Sequence, residues 1–331
     1  MTQSLVQYTD ISGEACIAFI DDDDTARQVM GYNSTYDLAC AAIRDHAALR
    51  DFIMQTGLGE SVDLQTAEKD GRLALPIEHK DPAHVYLTGT GLTHLGSAEG
   101  RDKMHQSTLN AESQTDSMKM FLMGVEHGKA DTDDIHAQPE WFYKGNGDAM
   151  VASRQPLPYP HFAKDAGEEP EIAGIYIIDD AGNPVRLGFA LANEFSDHVV
   201  EKHNYLWLAH SKLRHAALGP EIMLGDLPTN MQGKSKIIRD GIAIWEKDFL
   251  TGEDNMSHSV KNLEDHHFKY DQFCRPGDIH IHFFGTATLS FAEGFKSQDG
   301  DVFEISAPPF RFPVSNAMKR SSPRKVRVRL L

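Results

Sequence analysis

The stretch EEPEIAGIYIIDDAGNPVRLGFALANE, residues 168–194, decides the predicted fold. It holds two apolar segments with acidic residues at their outer ends, joined by the residues DDAGNP. Asp, Gly, Asn and Pro each favour tight turns for their own stereochemical reasons. The pattern therefore predicts a hairpin of two buried β-strands with acids at its open end.

The predicted hairpin brings three carboxylates together. If the turn is centred between Ala181 and Gly182, Glu169 lies opposite Glu194. Glu171 points to the same face as Glu169, because side chains two apart on a strand share a face. Opposed residues have Cβ atoms about 4.5–5.5 Å apart, where like charges destabilise a sheet. An oxygen-only ligand set suits Mg²⁺, Mn²⁺ or Ca²⁺, so the residues predict a metal site, with solvated strand-end acids as the alternative.

Composition and charge exclude several classes of protein. The chain has 331 residues and a net charge of -17, which argues against a nucleic-acid partner. Its three cysteines, Cys16, Cys40 and Cys274, are odd in number and far apart, so we expect no disulfide framework and a reducing cytoplasm. The first residues lack the pattern of a signal peptide, and no apolar run is long enough to predict a membrane span.

The order of patterns along the chain predicts an α+β protein with two unequal domains. Residues 1–83 read as a small N-terminal α/β domain, with a strand in EACIAFI and a helix from Thr35 to Gly57, a typical C-cap residue. Residues 84–331 read mostly as strands separated by Gly-Asp and Asp-Gly turns. The second segment, which contains the predicted hairpin, is therefore a predicted β-rich domain.

The histidines offer a competing metal site. His280 and His282, in DIHIHFF, share a strand face, and His266 and His267 are near in sequence. Two histidines with a carboxylate could bind zinc or iron. Since no third ligand has a matching spacing, we favour packing of these rings in the interior or against the pocket.

Two motifs in the hairpin resemble the fumarylacetoacetate hydrolase superfamily. That family carries an acid-x-acid pair at a strand start and a third acid in an N-D-x-S motif after the next strand. This chain has EPEIAGI and then NEFS. The resemblance implies that Glu169, Glu171 and Glu194 are metal ligands, with Glu194 standing where most of the family has Asp.

Other segments resemble the family in the same order, across roughly residues 85 to 315. The segment LAHSKLRHAALGP resembles the family's lysine segment and implies a functional Lys212. GTATLSFAEGFKSQDGDVFEI resembles its G-T-x-x-G segment and brings in Gly285 and Thr286, and QPEWFYKGNG brings in Lys144. The resemblance implies a small N-terminal domain, a mixed β-roll and a homodimer.

One departure points to a particular branch of the family. Hydrolases of this family carry G-x-N-Y-x-x-H-x-x-E, whose His and Glu activate water, whereas this chain has GTGLTHLGSAEGRD. Thr93, His94 and Ser97 replace the Asn, Tyr and His. The variant resembles the branch that dehydrates 2-keto-3-deoxy sugar acids, and within it the GguC-like proteins.

The resemblance implies a Mg²⁺-dependent lyase of sugar-acid catabolism, for example one converting a 2-keto-3-deoxy-pentonate to 2-oxoglutarate semialdehyde. Lys212 is the expected base, and Thr286 is expected to orient the substrate carboxylate. Further residues expected to contact the 2-keto acid are Lys144, Thr93, Ser97, Arg101 and Gly285. An acylpyruvate-type C–C hydrolase, with His94 or Glu99 as a relocated base, and a non-catalytic sugar-acid-binding protein remain alternatives.

Overall fold

The computed structural model describes residues 2–96, 115–129 and 136–331, and their strands form two sheets. The first sheet has twelve strands, in the order β4-β3-β2-β1-β12-β10-β9-β15-β5-β6, with β11 on β10 and β7 on β11. The second has five, in the order β14-β13-β16-β17-β8. In chain order the strands are β1 Ser4–Thr9, β2 Ala15–Ile20, β3 Ala26–Val29, β4 Leu58–Ser61, β5 Val85–Gly91, β6 Glu140–Asn146, β7 Met150–Ala152, β8 Leu157–Tyr159, β9 Pro170–Ile178, β10 Pro184–Asn193, β11 Ala216–Leu218, β12 Glu221–Met223, β13 Met231–Arg239, β14 Ile242–Thr251, β15 Ile279–Phe283, β16 Val302–Ser306 and β17 Val314–Arg320.

The helices of the described residues are short and surround the sheets. They are α1 Thr35–Arg44, α2 Leu49–Thr56, α3 Leu64–Lys69, α4 Asp116–His127, α5 His198–His203, α6 Leu208–Lys212 and α7 Val260–Phe268. Among the residues described, no helix is both long and apolar enough to cross a membrane. The mixture of strands and short helices confirms the predicted α+β class.

The single helix predicted from Thr35 to Gly57 is wrong in one respect, because the chain forms two helices there. The hydroxyl of Ser34 accepts a hydrogen bond from the Asp37 N–H and begins α1. The chain then leaves the helix, and His46 adopts a φ of +51° before α2 starts. The predicted end is correct, since Gly57 caps α2 with a φ of +91°, which glycine adopts without strain.

The N-terminal strands are part of the same sheet as the hairpin. Strand β1 pairs antiparallel with β12, with Ser4 opposite Met223, and β12 pairs with β10. One apolar core contains Leu5 and Phe19 from the first segment as well as Ile175 and Phe283 from the second. The domain boundary at residue 83 therefore stays a prediction. In the structure, the segments before and after residue 83 share one sheet and one apolar core.

The hairpin of β9 and β10 reaches its predicted register by way of a β-bulge. Near the turn Pro184 pairs with Ile178, which is one residue out of the predicted alignment. The register shifts between Arg186 and Gly188, so an extra residue enters β10. Beyond the bulge the strands have the predicted alignment, and the Glu194 N–H donates to the Glu169 carbonyl over 3.0 Å. A bulge inside the hairpin thus sets which residues meet at its open end.

Strand β9 is buried along its whole length because both its edges and both its faces are covered. Strand β10 pairs with one edge and β15 with the other. Ala173 and Ile175 face the first apolar core, while Ile172 faces a second core shared with the five-stranded sheet. Glu169 and Glu171 lie on the same face as Ala173, because side chains two residues apart share a face. The carboxylates at the strand end therefore lie next to the first apolar core.

Candidate active site

Three buried carboxylates meet at the open end of the hairpin and form the group named here the carboxylate cup: Glu169, Glu171 and Glu194. One oxygen from each lies within 4.8 Å of the others. Their exposed fractions are 7%, 1% and 0%, so water does not screen their mutual repulsion well. It is the arrangement predicted from the hairpin, and among the described residues it is the one group of acids, histidines or cysteines that could hold a metal ion.

Two buried lysines enter the cup from other elements. Lys212, at the end of α6, donates to Glu169 Oε1 and to Glu194 Oε2, each over 2.6 Å. Its Nζ also lies 4.8 Å from the centre of the Phe142 ring. Lys144, on β6, contacts Glu194 Oε1 and donates to the carbonyls of Phe195 and Lys212, over 2.6 and 3.2 Å. The three N–H groups of Lys144 are therefore all engaged by the protein.

These contacts shift the pKa values of the three acids in different directions and to different extents. Burial would raise the pKa of Glu169, but Lys212 and His198 hold that pKa well below its ordinary value. Burial raises the pKa of Glu194 to about 7 against the opposing effect of Lys144 and Lys212. Burial and the charges of Glu194 and Glu169 raise the pKa of Glu171 well above its ordinary value. Glu171 is thus the acid whose charge is least compensated.

The pKa values of the two lysines are shifted in opposite directions. Burial lowers the pKa of Lys144, and the nearby Lys212 charge adds to this effect. Burial would also lower the pKa of Lys212, but Glu169 and Glu194 outweigh it and raise that pKa above its ordinary value. Lys212 is therefore an ammonium while both carboxylates are ionised, and it can accept a proton only when their charge is taken up elsewhere.

The remaining lone pairs fit a hard divalent cation. Glu171 has no cationic group within 4.0 Å in the described residues, and the Gly285 N–H donates to its Oε2 over 2.7 Å. Glu171 Oε1 and Glu169 Oε2 accept no hydrogen bond from the described residues. Buried carboxylate oxygens without a donor are costly unless a cation or proton reaches them. The donor set is all oxygen and suits Mg²⁺, Mn²⁺ or Ca²⁺.

His198 is part of the site and was missed in the sequence. Its Nε2 lies 3.0 Å from Glu169 Oε1, its Nδ1 lies 3.6 Å from Asp165 Oδ2, and its ring stacks on Phe291. Burial opposes protonation, but the neighbouring acids Asp165 and Glu169 raise the pKa of His198 to about 10. Its position four residues after Glu194, at the start of α5, was the available signal.

Glu168 is not part of the cup, because its side chain lies on the opposite face of the strand from that of Glu169. It is fully buried beside Glu169 but points to the other face of the strand. There it accepts hydrogen bonds from the Ser290 N–H and Oγ, over 2.8 and 2.7 Å. Burial raises its pKa to about 6 against these bonds. A carboxylate adjacent in sequence therefore bonds Ser290 instead of joining the cup.

The predicted substrate residues lie at different distances from the acids. Gly285 bonds Glu171 directly, with a φ of +93°, and a Cβ there would lie 2.4 Å from Thr93 Oγ1. Thr286 follows it, half-buried, and its Oγ1 accepts from the Thr288 N–H over 3.2 Å. Thr93 packs behind Gly285, where its hydroxyl bonds the Phe284 carbonyl. Ser97, Arg101 and Glu99 lie outside the described residues.

His94, the residue named as a possible relocated base, is enclosed. Its Nδ1 lies 3.1 Å from Thr93 Oγ1 and its Nε2 lies 3.0 Å from Thr251 Oγ1. Burial and the charge of Lys129 lower its pKa to about 3. The imidazole is therefore neutral near pH 7, and hydroxyl groups stand at both of its ring nitrogens.

The histidines of the competing prediction form a cluster of rings and not a metal site. The histidine cluster consists of His267, His280 and His282 with Trp141. His267 Nε2 lies 2.9 Å from His280 Nδ1, and Trp141 donates to His267 Nδ1 over 3.2 Å. His282 Nδ1 lies 2.8 Å from Thr88 Oγ1, and the His267 and His282 rings stack. His266 bonds elsewhere, to the carbonyl of residue 136.

Solved structures match this chain over nearly its full length, and three of them are described here. A 2-keto-3-deoxy-D-arabinonate dehydratase complexed with magnesium and 2,5-dioxopentanoate matches with a TM-score of 0.69 and 19% identity, covering 97% of this chain and 100% of that one. Its apo form gives 0.69 and 18% with the same coverage. A 2-hydroxyhepta-2,4-diene-1,7-dioate isomerase from Mycobacterium marinum gives 0.56 and 16%, covering 98% and 100%.

These similarities concern the fold. No protein-family model and no curated protein matches the sequence. The solved structures match over nearly the whole chain. The fold predicted from the motifs is confirmed: the chain has the fold of the fumarylacetoacetate hydrolase superfamily.

Proposed function

We propose that this protein is a divalent-cation-dependent hydro-lyase that removes water from a 2-keto-3-deoxy sugar acid. The observation that carries the proposal is the carboxylate cup, in which Lys212 lies 2.6 Å from two of three buried carboxylates. A structural neighbour is a dehydratase of this type, complexed with magnesium and 2,5-dioxopentanoate, another name for 2-oxoglutarate semialdehyde. The likeness of fold supports the same class of substrate here.

Glu169, Glu171 and Glu194 would hold the cation. When bound, a divalent cation would act as a Lewis acid on the 2-keto group and, as a like charge beside Lys212, would lower the pKa of that ammonium. Mg²⁺ is the proposed ion, with Mn²⁺ or Ca²⁺ as substitutes of the same ligand preference.

In the elimination itself, Lys212 carries out the proton transfers. Lys212 Nζ takes a proton from C3, and the 4-hydroxyl leaves as the C3–C4 double bond forms. The same proton, returned by Lys212 to the departing hydroxyl, completes one molecule of water. For a five-carbon acid this step gives a 3-ene with a 5-hydroxyl group. Loss of a proton from C5 and gain of one at C3 move the double bond to C4–C5, and the enol so formed tautomerises to the aldehyde, so the final product is the substrate less one water. General acid–base help of this kind contributes about 10²–10⁴-fold.

The other buried groups position the cup. Lys144 holds Glu194, His198 holds Glu169, and the Gly285 N–H holds Glu171. The hydroxyl of Thr286, next in sequence to Gly285, is the proposed donor to the substrate carboxylate. Ser97 and Arg101 stay predictions of substrate contact.

Elimination needs no attacking water, and His94, the candidate base that lies within the described residues, is badly placed to activate one. His94 has a hydroxyl group at each ring nitrogen and a depressed pKa. Hydrolysis of an acylpyruvate would require such a base. Dehydration therefore accounts for the retained groups better than C–C hydrolysis does.

The test is to incubate the Mg²⁺-loaded protein with a panel of 2-keto-3-deoxy sugar acids and with acylpyruvates, and to identify products by mass spectrometry. The proposal expects loss of one water from at least one sugar acid and little hydrolysis. Release of pyruvate from an acylpyruvate at a comparable or faster rate would contradict it. Tight binding of a sugar acid without turnover would favour the non-catalytic binding protein.

A further inference from the structure

We propose a second ligand site on this chain, a pocket that binds a small organic anion with a phosphate or carboxylate group on a planar or apolar body. The pocket, named here the basic pocket, lies between the end of β17, the start of α5 and residues 291–299, and has a volume of about 670 Å³. None of the three cup carboxylates lines it. It is therefore a separate cavity from the proposed metal site.

The charge of the basic pocket is opposite to that of the protein. Four cationic side chains line it, against two acidic ones, whereas the whole chain carries a net charge of -17. The cations are Lys164, Lys202, Lys296 and Arg320, and the acids are Asp165 and Asp299. Clefts lined by one sign of charge concentrate ligands of the opposite sign.

The lysines of the pocket are not neutralised by neighbouring acids. Within the described residues, Lys164, Lys202 and Lys296 have no carboxylate within 4.0 Å. The two acids are directed to other partners: Asp165 lies 3.6 Å from His198 Nδ1, and Asp299 accepts the Arg320 N–H over 2.7 Å. An anionic ligand in the cavity would therefore be attracted by three lysines that have no carboxylate partner among the described residues.

Aromatic rings supply the apolar walls of the same cavity. The Arg320 guanidinium lies 4.6 Å from the centre of the Tyr159 ring, and the Lys202 ammonium lies 5.9 Å from that of Phe291. Phe295 adds a third ring. Ligand sites are mostly apolar and carry a few placed polar groups. Rings beside cations fit an anion with a planar body better than a bare inorganic ion.

The basic pocket is two side chains away from the carboxylate cup. Asp165 lines the pocket and contacts His198, whose Nε2 lies 3.0 Å from Glu169 Oε1. The His198 ring stacks on Phe291, which also lines the pocket. The buried imidazole thus fills the space between the two sites, so an occupant of the pocket does not have to enter the cup.

The experiment uses 8-anilinonaphthalene-1-sulfonate, which joins an aromatic body to an anionic group, and follows its fluorescence on the full chain. The double variant Lys164→Glu/Lys296→Glu reverses two charges in the pocket. Lys69→Glu/Lys80→Glu reverses two exposed charges in the N-terminal segment and is the matched control. We expect the pocket variant to bind the probe about tenfold more weakly or worse, because an attraction becomes a repulsion. The control should stay within twofold.

Competition then identifies the anionic group. AMP and benzoate are added separately to the wild-type complex, and displacement of the probe by either one supports the proposal and distinguishes phosphate from carboxylate. Equal affinities in the pocket variant and the control, or no displacement by either competitor, would overturn it. If the charge reversal prevents folding, as judged by circular dichroism, Lys164→Gln/Lys296→Gln takes its place with the same criteria.

Discussion

The carboxylate cup and the histidine cluster are both buried groups of titratable side chains on neighbouring strands, yet they have opposite chemical characters. The cup begins on β9, and His280 and His282 lie on β15, which pairs with β9. In the cup, carboxylates meet ammonium groups, and Glu171 has no cation of its own among the described residues. In the cluster, rings stack and exchange hydrogen bonds with one another, with Trp141 and with Thr88.

The difference teaches that burial of ionisable residues does not by itself make a site. Burial and neighbouring imidazoles lower the pKa of His267 and His282, so these rings are neutral near pH 7 and behave as polar core. In the cup, by contrast, Glu169 and Lys212 each stabilise the charged form of the other, while burial raises the pKa values of Glu171 and Glu194. A bound cation would stabilise the charged forms of these carboxylates, whereas the neutral rings of the cluster need no such partner.

The largest effect is expected from Glu171→Gln, which removes the least compensated charge of the cup. We expect the variant to fold, to lose bound metal and to lose activity by about 10²–10³-fold, as loss of several kcal/mol of charge stabilisation would produce. Metal content by mass spectrometry and product formation measure the two losses. Glu168→Gln, adjacent and equally buried but bonded to Ser290, is the matched control and should keep its metal. Normal metal content in Glu171→Gln would refute the site assignment.

Lys144→Met tests how much the buried pair of Lys144 and Glu194 contributes to the stability of the folded protein. Removal of one partner from a buried ion pair typically costs about 3–5 kcal/mol, because the other charge stays buried. We expect a loss of that size in the free energy of unfolding, measured by urea denaturation with a chelator present. Lys234→Met, which breaks an exposed pair with Glu246, should cost at most about 1 kcal/mol. Equal losses for the two variants would mean that Lys144 does not neutralise Glu194.

His198→Asn should have a smaller effect, on metal affinity. His198 bonds Glu169 from outside the cup, and the loss of such an orienting partner typically costs 10–100-fold in metal affinity or activity. The measurement is Mn²⁺ binding followed by electron paramagnetic resonance. His282→Gln, in the histidine cluster, is the comparison and should bind Mn²⁺ within about twofold of the wild type. A loss in His282→Gln as large as that in His198→Asn would contradict the separation of the two groups.

The sequence was sufficient for the cup because two short-range rules act there. Alternation along β9 put Glu169 and Glu171 on one face, and turn chemistry put Glu194 opposite. The bulge between Arg186 and Gly188 was not foreseen, since nothing in PVRLGFAL separates a bulge from a regular strand with one glycine. The aligned end was predicted correctly only because the bulge compensates for a turn centred one half-residue away.

Other parts depend on contacts between distant segments. Lys144, Lys212 and His198 approach the cup from β6, α6 and α5, and only the tertiary fold decides that Lys144 directs its donors to the protein. The break at His46 in the predicted helix was equally hidden, because the apolar spacing continues through it. Features with a local cause in the sequence could be predicted. Lys144 and Lys212, which reach the cup from other elements, were expected only from the family resemblance, and His198 was not predicted.

The smallest expected effect concerns how stability depends on pH, and it distinguishes the histidine cluster from an exposed histidine. Burial and the charge of His280 lower the pKa of His282 to about 3 in the folded protein, against an ordinary value of 6.5. Below pH 6.5 the unfolded chain therefore takes up a proton that the folded chain refuses. The stabilising contribution is complete above pH 6.5 and is lost as the pH falls toward 3, at about 1.4 kcal/mol per pH unit for one histidine.

His282→Gln removes this titration whatever it does to overall stability, so the slope and not the absolute value is the readout. Urea denaturation at pH 6.5, 5.5 and 4.5, with a chelator present to keep the cup free of metal, should give a slope smaller by about 1 kcal/mol per pH unit than that of the wild type. His127→Gln, at an exposed position on α4, should leave the slope unchanged. If His282→Gln follows the wild-type slope, the ring is protonated in the folded protein. The cluster would then hold buried charge as the cup does, and the contrast between the two regions would fail.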